Sequence, residues 1–481
     1  MKFAAKTLVL FFLASAALLQ AQIRNFGHIV VIVQENRTPD NLFQGLCAPP
    51  FGTSTSCSTT PTGNQYNIQT RNWLDNASPR GVTQPSPVAL ASKYDLGHTH
   101  HSWVVQCDQN AAGNCRMDGA TKVACTGICP AKPQFAYVDN ATGTLNSYLQ
   151  LASQYGWANA MFQTNQGPSF PAHQFIFGGT SAPSLAADHA GTFAAENISG
   201  KGAGAGCIAS STRLVQLIDP TGTENRSNQI FPCFEHNTVA DLLQPRSITW
   251  HYYSPGANSI WTAPNAIQHI CMASGATCTG ADWKANVDLN AAHVLTDIAN
   301  CNLRQVTWVI PSGQNSDHAL INTGGGPSWV ASIVNALGNS WTASNHKCDY
   351  WANNSNDATA ILIVWDDWGG WYDHVPPTRL AAPQGGYQLG FRVPLIAVSA
   401  YTPVHLVDNS RHDFGSLVRF MEHNFGIQEG MLTFADARAT TDLTSFFNLT
   451  QAPRPFGIVQ AKIGAAFFLK DKTPPTDPDD D

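Results

Sequence analysis

Three widely separated apolar runs in this chain each end in a cluster of polar side chains. The runs occupy residues 26–33, 306–311 and 361–364, and each has the length of one buried strand. Strands that are apolar on both faces are typical of a mostly parallel sheet covered by helices, which predicts an α/β protein. Because ligands collect beyond the carboxyl ends of strands in such sheets, we expect the functional site among these polar clusters.

The densest polar cluster follows the run at 361–364. Asp366 and Asp367 follow it after one residue, and a Gly-Gly pair then leads to Asp373 and His374. Adjacent carboxylates repel each other unless a cation or a shared proton offsets their charge. A solvated turn would explain two aspartates alone, but the complete pattern favours a functional role.

A second polar cluster follows the run at 26–33. Glu35 and Asn36 stand there and offer the hard oxygen ligands that divalent cations prefer. The alternative is that Asn36 begins a turn while Glu35 is solvated. Taken together with Asp366 and Asp367, this strand end predicts one cation site built from distant segments.

Two histidines and one serine are further candidates. His98 follows a glycine, and we expect it to be the functional member of a group of three nearby histidines. His318 follows the run at 306–311, where a solvated loop histidine is the alternative. Ser169 stands at the predicted start of a helix, where free backbone N–H groups suit a phosphate. Its hydroxyl could act as a nucleophile if a cation lowers its pKa, or it could simply cap the helix.

The organisation of the chain is typical of an exported protein. Residues 1–21 resemble a secretory signal with two lysines and a short apolar stretch, and an uncleaved anchor is the alternative. We expect one domain over residues 22–470, with insertions at about 44–92 and 190–230, and a disordered tail at 471–481. This organisation predicts a secreted or periplasmic protein without stable membrane insertion. The net charge of −7 argues against nonspecific binding of nucleic acid.

The cysteines also indicate a secreted or periplasmic protein. Their number, 12, is even, and an even number behind a secretory leader predicts disulfides. Spacing suggests four pairs, which are Cys47–Cys57, Cys207–Cys233, Cys271–Cys278 and Cys301–Cys348. The other four could pair in three ways, and they are Cys107, Cys115, Cys125 and Cys129. A zinc site is the alternative, although paired Cys-x-x-Cys units are absent from the sequence.

Several of these stretches occur together in a recognisable order. They include HIVVIVQENRTPDNLF (28–43), GPSFPAH (167–173), ILIVWDDWGGWYDHVPP (361–377) and HDFGSLVRFMEHNFG (412–426). With them the chain resembles the phosphoesterase family that contains bacterial phospholipases C and secreted acid phosphatases. The resemblance implies an alkaline-phosphatase-like fold, in which helices flank a central, mostly parallel sheet and disulfides clip long insertions.

The resemblance also implies roles for individual residues. It implies a divalent metal, of unspecified identity, bound by Glu35, Asn36, Asp366 and Asp367. It implies that Ser169 is the nucleophile and lies next to the same ion. The side chains implied to handle the phosphoryl oxygens or the leaving group are His98, His318 and His374.

The nucleophile segment departs from the family pattern. Many phospholipase members have Thr-x-Pro-Asn-Arg there, whereas this chain reads Ser-Phe-Pro-Ala-His over residues 169–173. The missing Arg removes a bidentate phosphate ligand, which makes the segment more similar to the acid-phosphatase branch. Many members also have Asp-Glu where this chain has Asp366 and Asp367.

The expected protein is therefore a secreted, metal-dependent hydrolase of small phosphate esters that resembles acid phosphatases. One alternative is a phospholipase C or phosphodiesterase acting on phospholipids. The other is a secreted binding protein that has lost catalysis.

Overall fold

The computed structural model describes residues 25–352, 357–380, 388–432 and 434–474. The predicted secretory signal at 1–21 lies outside these ranges, as do residues 475–481 of the predicted tail. Within the described ranges, no helix combines the length and the apolar character that crossing a bilayer requires.

A sheet of eight strands forms the centre of the protein. In chain order its strands are β1 (His28–Gln34), β2 (Gly156–Phe162), β3 (Trp250–Tyr253), β4 (Val287–Asp288), β5 (Val306–Val309), β6 (Thr359–Trp365), β7 (Leu395–Val398) and β8 (Leu406–Asp413). Their spatial order is β4-β3-β5-β1-β6-β7-β2-β8. Only β7 runs antiparallel to its neighbours, so the predicted mostly parallel sheet is confirmed.

The middle of the sheet explains the apolar runs in the sequence. All seven residues of β1 and all seven of β6 are buried, as expected for strands covered on both faces. The two strands pair in parallel from His28 opposite Thr359 to Gln34 opposite Trp365. This register ends both strands at the same level, so the residues that follow them emerge side by side.

Helices cover the sheet. The longer ones are α1 (His100–Cys107), α2 (Asn146–Gln154), α3 (Ser169–Gly178), α4 (Gly326–Gly338) and α5 (Phe414–Asn424). Short helices occupy Pro39–Leu42, Leu185–Ala190, Val239–Leu243, Gln268–Cys271, Ala281–Asn286, His293–Ala299, Ser340–Ala343, Ala435–Arg438 and Ala465–Lys470. Every residue of α3 is buried, because this helix is packed between α5 and other elements of the core.

The sequence pattern over residues 148–162 is helical, but the structure divides this stretch between two elements. Helix α2 ends at Gln154, and strand β2 begins at Gly156. Pairing of β2 with β7 and β8 overrides the local helical pattern, since strand pairing is decided by distant partners.

The predicted insertion at about 190–230 contains a small antiparallel sheet, here called the insertion sheet. Its strands are Phe193–Ala194, Val215–Ile218 and Glu224–Ile230. Two-stranded ribbons pair Trp73–Leu74 with Val82–Thr83, Ser86–Val88 with Ala136–Val138, Tyr94–Leu96 with Cys125–Gly127, and Ala273–Ser274 with Thr277–Cys278.

All twelve cysteines lie in the described ranges and form six disulfides. The four pairs predicted from spacing are confirmed. The remaining cysteines pair as Cys107–Cys115 and Cys125–Cys129. No cysteine of the chain is left for a zinc site, so that alternative is wrong.

Candidate functional site

The ends of β1 and β6 bring the two predicted strand-end clusters together. Asn36 adopts a left-handed conformation, with φ of 61°, and its backbone N–H donates to Asp366 Oδ1 over 3.0 Å. Asp367 N–H donates to the same oxygen over 2.7 Å. Glu35, Asn36, Asp366 and Asp367 are all fully buried. The parallel register of the two strands therefore gathers four oxygen-bearing side chains from distant segments.

Several oxygens of this cluster have no hydrogen-bond donor in the described part of the chain. They are both carboxylate oxygens of Glu35, Oδ1 of Asn36 and Oδ2 of Asp366. A buried acceptor without a donor is costly, and a buried carboxylate more so. Burial, and then the charge of Asp366, raises the pKa of Glu35 well above its ordinary value. A divalent cation bound to these oxygens would remove both costs, so the donor set fits a hard metal ion.

Ser169 lies against this cluster. It is the first residue of α3, and the helix N-cap is Pro168, so the serine hydroxyl does not cap the helix. Instead, Ser169 Oγ donates to Asp367 Oδ2 over 3.1 Å. The other oxygen of Asp367 accepts from Gly369 N–H over 2.7 Å. The hydroxyl that the sequence singled out thus contacts one of the predicted metal-binding carboxylates.

His173 is a member of the cluster that the sequence analysis missed. It follows Ser169 by one helical turn, and its Nε2 lies 3.3 Å from Glu35 Oε1 and 3.8 Å from Asp366 Oδ2. Burial lowers the pKa of His173 to about 4, so its ring is neutral at ordinary pH. A neutral imidazole nitrogen is a good metal ligand. The spacing of four residues after Ser169 was the signal that could have identified it, because such positions share a helix face.

His98 and His318 lie beside the cluster. The ring of His98 faces Asn36, with 3.2 Å between Nε2 and the Asn36 Nδ2, while Nδ1 contacts the carbonyl oxygen of Leu96 at 2.9 Å. The rings of His98 and His318 are 5.8 Å apart between centroids. Nδ1 of His318 lies 2.8 Å from the carbonyl oxygen of Ala319. Both rings are therefore oriented through Nδ1 by a backbone carbonyl.

His374 occupies a different cluster. Its Nδ1 is 2.7 Å from Asp40 Oδ2 and its Nε2 is 2.9 Å from Asn67 Oδ1. Arg392 is paired with Asp373 over 2.8 Å and with Asp40 over 3.4 Å. These carboxylates are thus neutralised within the protein. The structure brings together every sequence-predicted site residue except His374, whose ring nitrogens are engaged in this second cluster.

Comparison with known protein families gives a match over most of the chain. The family model described as the Phosphoesterase family matches residues 26–428. The chain belongs to this family. The matched region contains all the site residues named above.

Relatives within the family are distant. A non-hemolytic phospholipase C of Pseudomonas aeruginosa is 22% identical over 460 residues, which cover 89% of this chain and 58% of that protein. A phospholipase C B of Mycobacterium tuberculosis is 29% identical over 181 residues, covering 33% of this chain and 32% of that protein. The chain therefore spans only part of the length of these curated relatives.

One solved structure shows a weak likeness. It is a protein in the alkaline phosphatase superfamily from Vibrio parahaemolyticus, with 11% identity and a TM-score of 0.31. The likeness covers 61% of this chain and 63% of that protein. A TM-score of 0.31 is too low to support a conclusion about function.

Proposed function

We propose that this protein is a metal-dependent hydrolase of phosphoric esters in which Ser169 is the nucleophile. The observation that carries the proposal is the 3.1 Å contact between the Ser169 hydroxyl and Asp367, next to buried oxygens that lack donors. A structural serine would be expected to bond to the backbone or to cap its helix, and Ser169 does neither. Membership of the Phosphoesterase family supports the same reaction class.

A divalent metal would be held by Glu35, Asn36, Asp366 and Asp367, with His173 as a further candidate ligand. When bound, it would offset the negative charge of the phosphoryl oxygens. In the proposed reaction Ser169 Oγ attacks phosphorus and loses its proton, for which Asp367 Oδ2 is the adjacent acceptor. The bond between phosphorus and the alcohol oxygen breaks, and the alcohol leaves with a proton that His98 or His318 supplies. Water then hydrolyses the phosphoserine, which releases phosphate and restores the hydroxyl.

We propose a small phosphate monoester as the substrate. Ser169 is 1% exposed, so little room for a bulky substrate exists above the hydroxyl in this conformation. His173 stands where many phospholipase members have the arginine that binds a phosphate, and its ring faces the carboxylates instead. A phospholipase C is the second candidate, because the relatives carry that name.

The six disulfides support export to the cell exterior or the periplasm, since such bonds persist in oxidising compartments. The proposed partners are the ester substrate and the metal ion.

The test compares Ser169→Ala with Ser332→Ala. Ser332 is also buried and hydrogen-bonded, but it lies within α4 and donates to a backbone carbonyl. We expect Ser169→Ala to slow release of p-nitrophenol from its phosphate ester by at least about a thousandfold, or about 4 kcal/mol of barrier. The control variant should retain activity, and exhaustive chelation should abolish wild-type activity.

Near-normal turnover by Ser169→Ala, with circular dichroism matching the wild type, would show that another group is the nucleophile. Comparing phosphatidylcholine with p-nitrophenyl phosphate distinguishes the two substrate classes. Faster hydrolysis of the lipid would favour the phospholipase candidate.

A further inference from the structure

A small acidic cavity adjoins the start of α3. It has a volume of about 160 Å³ and lies between the insertion sheet and the first turn of α1. Glu196, Gln216 and Glu224 line one side of it, and Thr99 and His101 line the other. A wider cavity of about 570 Å³ shares His101 and Glu224 with it, which connects the small cavity to a larger opening.

Two buried acceptor atoms in this cavity lack donors among the described residues. Glu196 is only 7% exposed, and its Oε1 accepts from His100 N–H over 2.9 Å. Its Oε2 has no N–H or hydroxyl donor among the described residues, and the carboxyl lies next to that of Glu224. Gln216 Oε1 is also buried without a partner. Burial, and then the charge of Glu224, raises the pKa of Glu196 well above its ordinary value. Among the described residues, no lysine or arginine lines this cavity.

The donor set fits an organic cation better than a metal ion. In the described chain, Glu196 and Glu224 are not part of any group of three metal-ligating side chains with ligand atoms within 4.8 Å of one another. A primary ammonium carries three N–H donors in addition to its charge. Those donors match two carboxylates and one amide oxygen, here Glu196, Glu224 and Gln216. A quaternary ammonium has no N–H and would leave the same acceptors unsatisfied.

The cavity is linked directly to the proposed nucleophile. Asn197, which also lines it, accepts through Oδ1 from the backbone N–H of Phe170 over 2.9 Å. Phe170 follows Ser169 in α3. On the opposite wall, Thr99 follows His98, whose ring contacts Asn36 of the metal cluster. One hydrogen bond therefore links the cavity lining to the residue after Ser169, and another lining residue follows His98 in the chain.

We propose that this cavity is a subsite for the alcohol portion of the substrate, and that this alcohol carries a primary ammonium held between Glu196 and Glu224. The inference rests on the proposed function and specifies its substrate as an amino-alcohol phosphate ester. Such an ester could be a free metabolite or the head group of a lipid. The free metabolite and the lipid head group share a primary amine close to the phosphate.

The test measures kcat/KM for 2-aminoethyl phosphate and for n-propyl phosphate, which replaces the ammonium by a methyl group of similar size. We expect the wild type to favour the ammonium ester by about tenfold, as a charge-assisted hydrogen bond predicts. In Glu196→Gln and in Glu224→Gln this ratio should fall towards one, mainly through KM. Glu429→Gln, which changes an exposed glutamate elsewhere on the surface, should keep the wild-type ratio.

Equal hydrolysis of both esters by the wild type, or a ratio unchanged in both variants, would overturn the subsite. A third arm uses phosphatidylethanolamine in detergent micelles. If this lipid releases ethanolamine, leaving phosphatidic acid, faster than the free ester releases it, and with the same dependence on Glu196, the subsite stands and its ligand is a lipid head group.

If neither ester nor the lipid is hydrolysed, the proposed function fails. A binding measurement then tests the subsite separately. Calorimetric titration with ethanolamine should then show binding to the wild type that is lost in Glu196→Gln. No binding to the wild type would overturn the ammonium subsite as well.

Discussion

Replacing Asp366 by asparagine should change the stability of the protein in opposite directions with and without a divalent cation. Ligand oxygens of Glu35 and Asp366 lie within 4.8 Å of each other, and both side chains are fully buried. With an effective dielectric constant of about 20, two unit charges at that separation repel by about 3.5 kcal/mol. The raised pKa of Glu35 means that proton uptake relieves part of this repulsion. We therefore expect Asp366→Asn to stabilise the metal-free protein by about 1–2 kcal/mol.

With a bound cation, the wild type should be more stable than Asp366→Asn. Asparagine keeps the oxygen that accepts from the Asn36 and Asp367 N–H groups, but it loses the charge at Oδ2, which has no partner. At a hundredfold excess over Kd, a cation stabilises the wild type by about 2.7 kcal/mol. The variant should gain much less, because its ligand set has lost one negative charge.

Scanning calorimetry in chelator and in excess divalent cation measures both effects. Asp373→Asn is the matched control, because Asp373 is equally buried but paired with Arg392. This control should lose about 3–5 kcal/mol under both conditions, as expected when one partner of a buried ion pair is removed. The reasoning fails if Asp366→Asn lowers the melting temperature in chelator, or if the cation raises the melting temperature of this variant as much as that of the wild type.

Two further predictions concern backbone geometry and pH. A Cβ on Gly369 would lie 2.3 Å from the carbonyl oxygen of Asn36, so Gly369→Ala should weaken stabilisation by a divalent cation, measured by calorimetry. Gly275→Ala is its control, since Gly275 has the same φ of 60° with open space around it; equal loss of the cation effect in both variants would contradict this explanation. Burial, and then Asp436, raises the pKa of Glu422 to about 8, so the folded state holds a proton that the unfolded state releases. The free energy of unfolding should therefore fall as pH rises from about 4.5 to 8, and urea titrations should show a shallower fall in Glu422→Gln; parallel pH profiles would refute this role for Glu422.

Much of the fold followed from local sequence. The apolar runs that became β1, β5 and β6 are long, bounded by polar residues and buried on both faces, so their strand character was clear. By contrast, β8 (Leu406–Asp413) carries three charged residues and a histidine, and its pattern gave no strand signal. Among the described residues this edge strand pairs with β2 alone, and such pairing is not encoded in its own residues.

The candidate site was accessible to sequence reasoning where it follows strand ends. Glu35 and Asp366 could be placed together because parallel strands end at the same edge of a sheet. His173 could not be placed in the same way. Its contacts depend on how α3 is oriented over the sheet, and this packing is set by residues distributed across the chain.

The position of His374 shows why charge balance, rather than residue type, separates the two acidic clusters. Asp367 and Asp373 occur within one short segment, and residue type alone does not distinguish them as metal ligands. In the structure, Arg392 supplies a positive charge to Asp373, and His374 bonds to Asp40 in the same cluster. Among the described residues, no lysine or arginine pairs with Glu35, Asp366 or Asp367. A buried carboxylate cluster without a protein cation gains most from a cation bound from solution, and for this reason we propose the metal at the ends of β1 and β6.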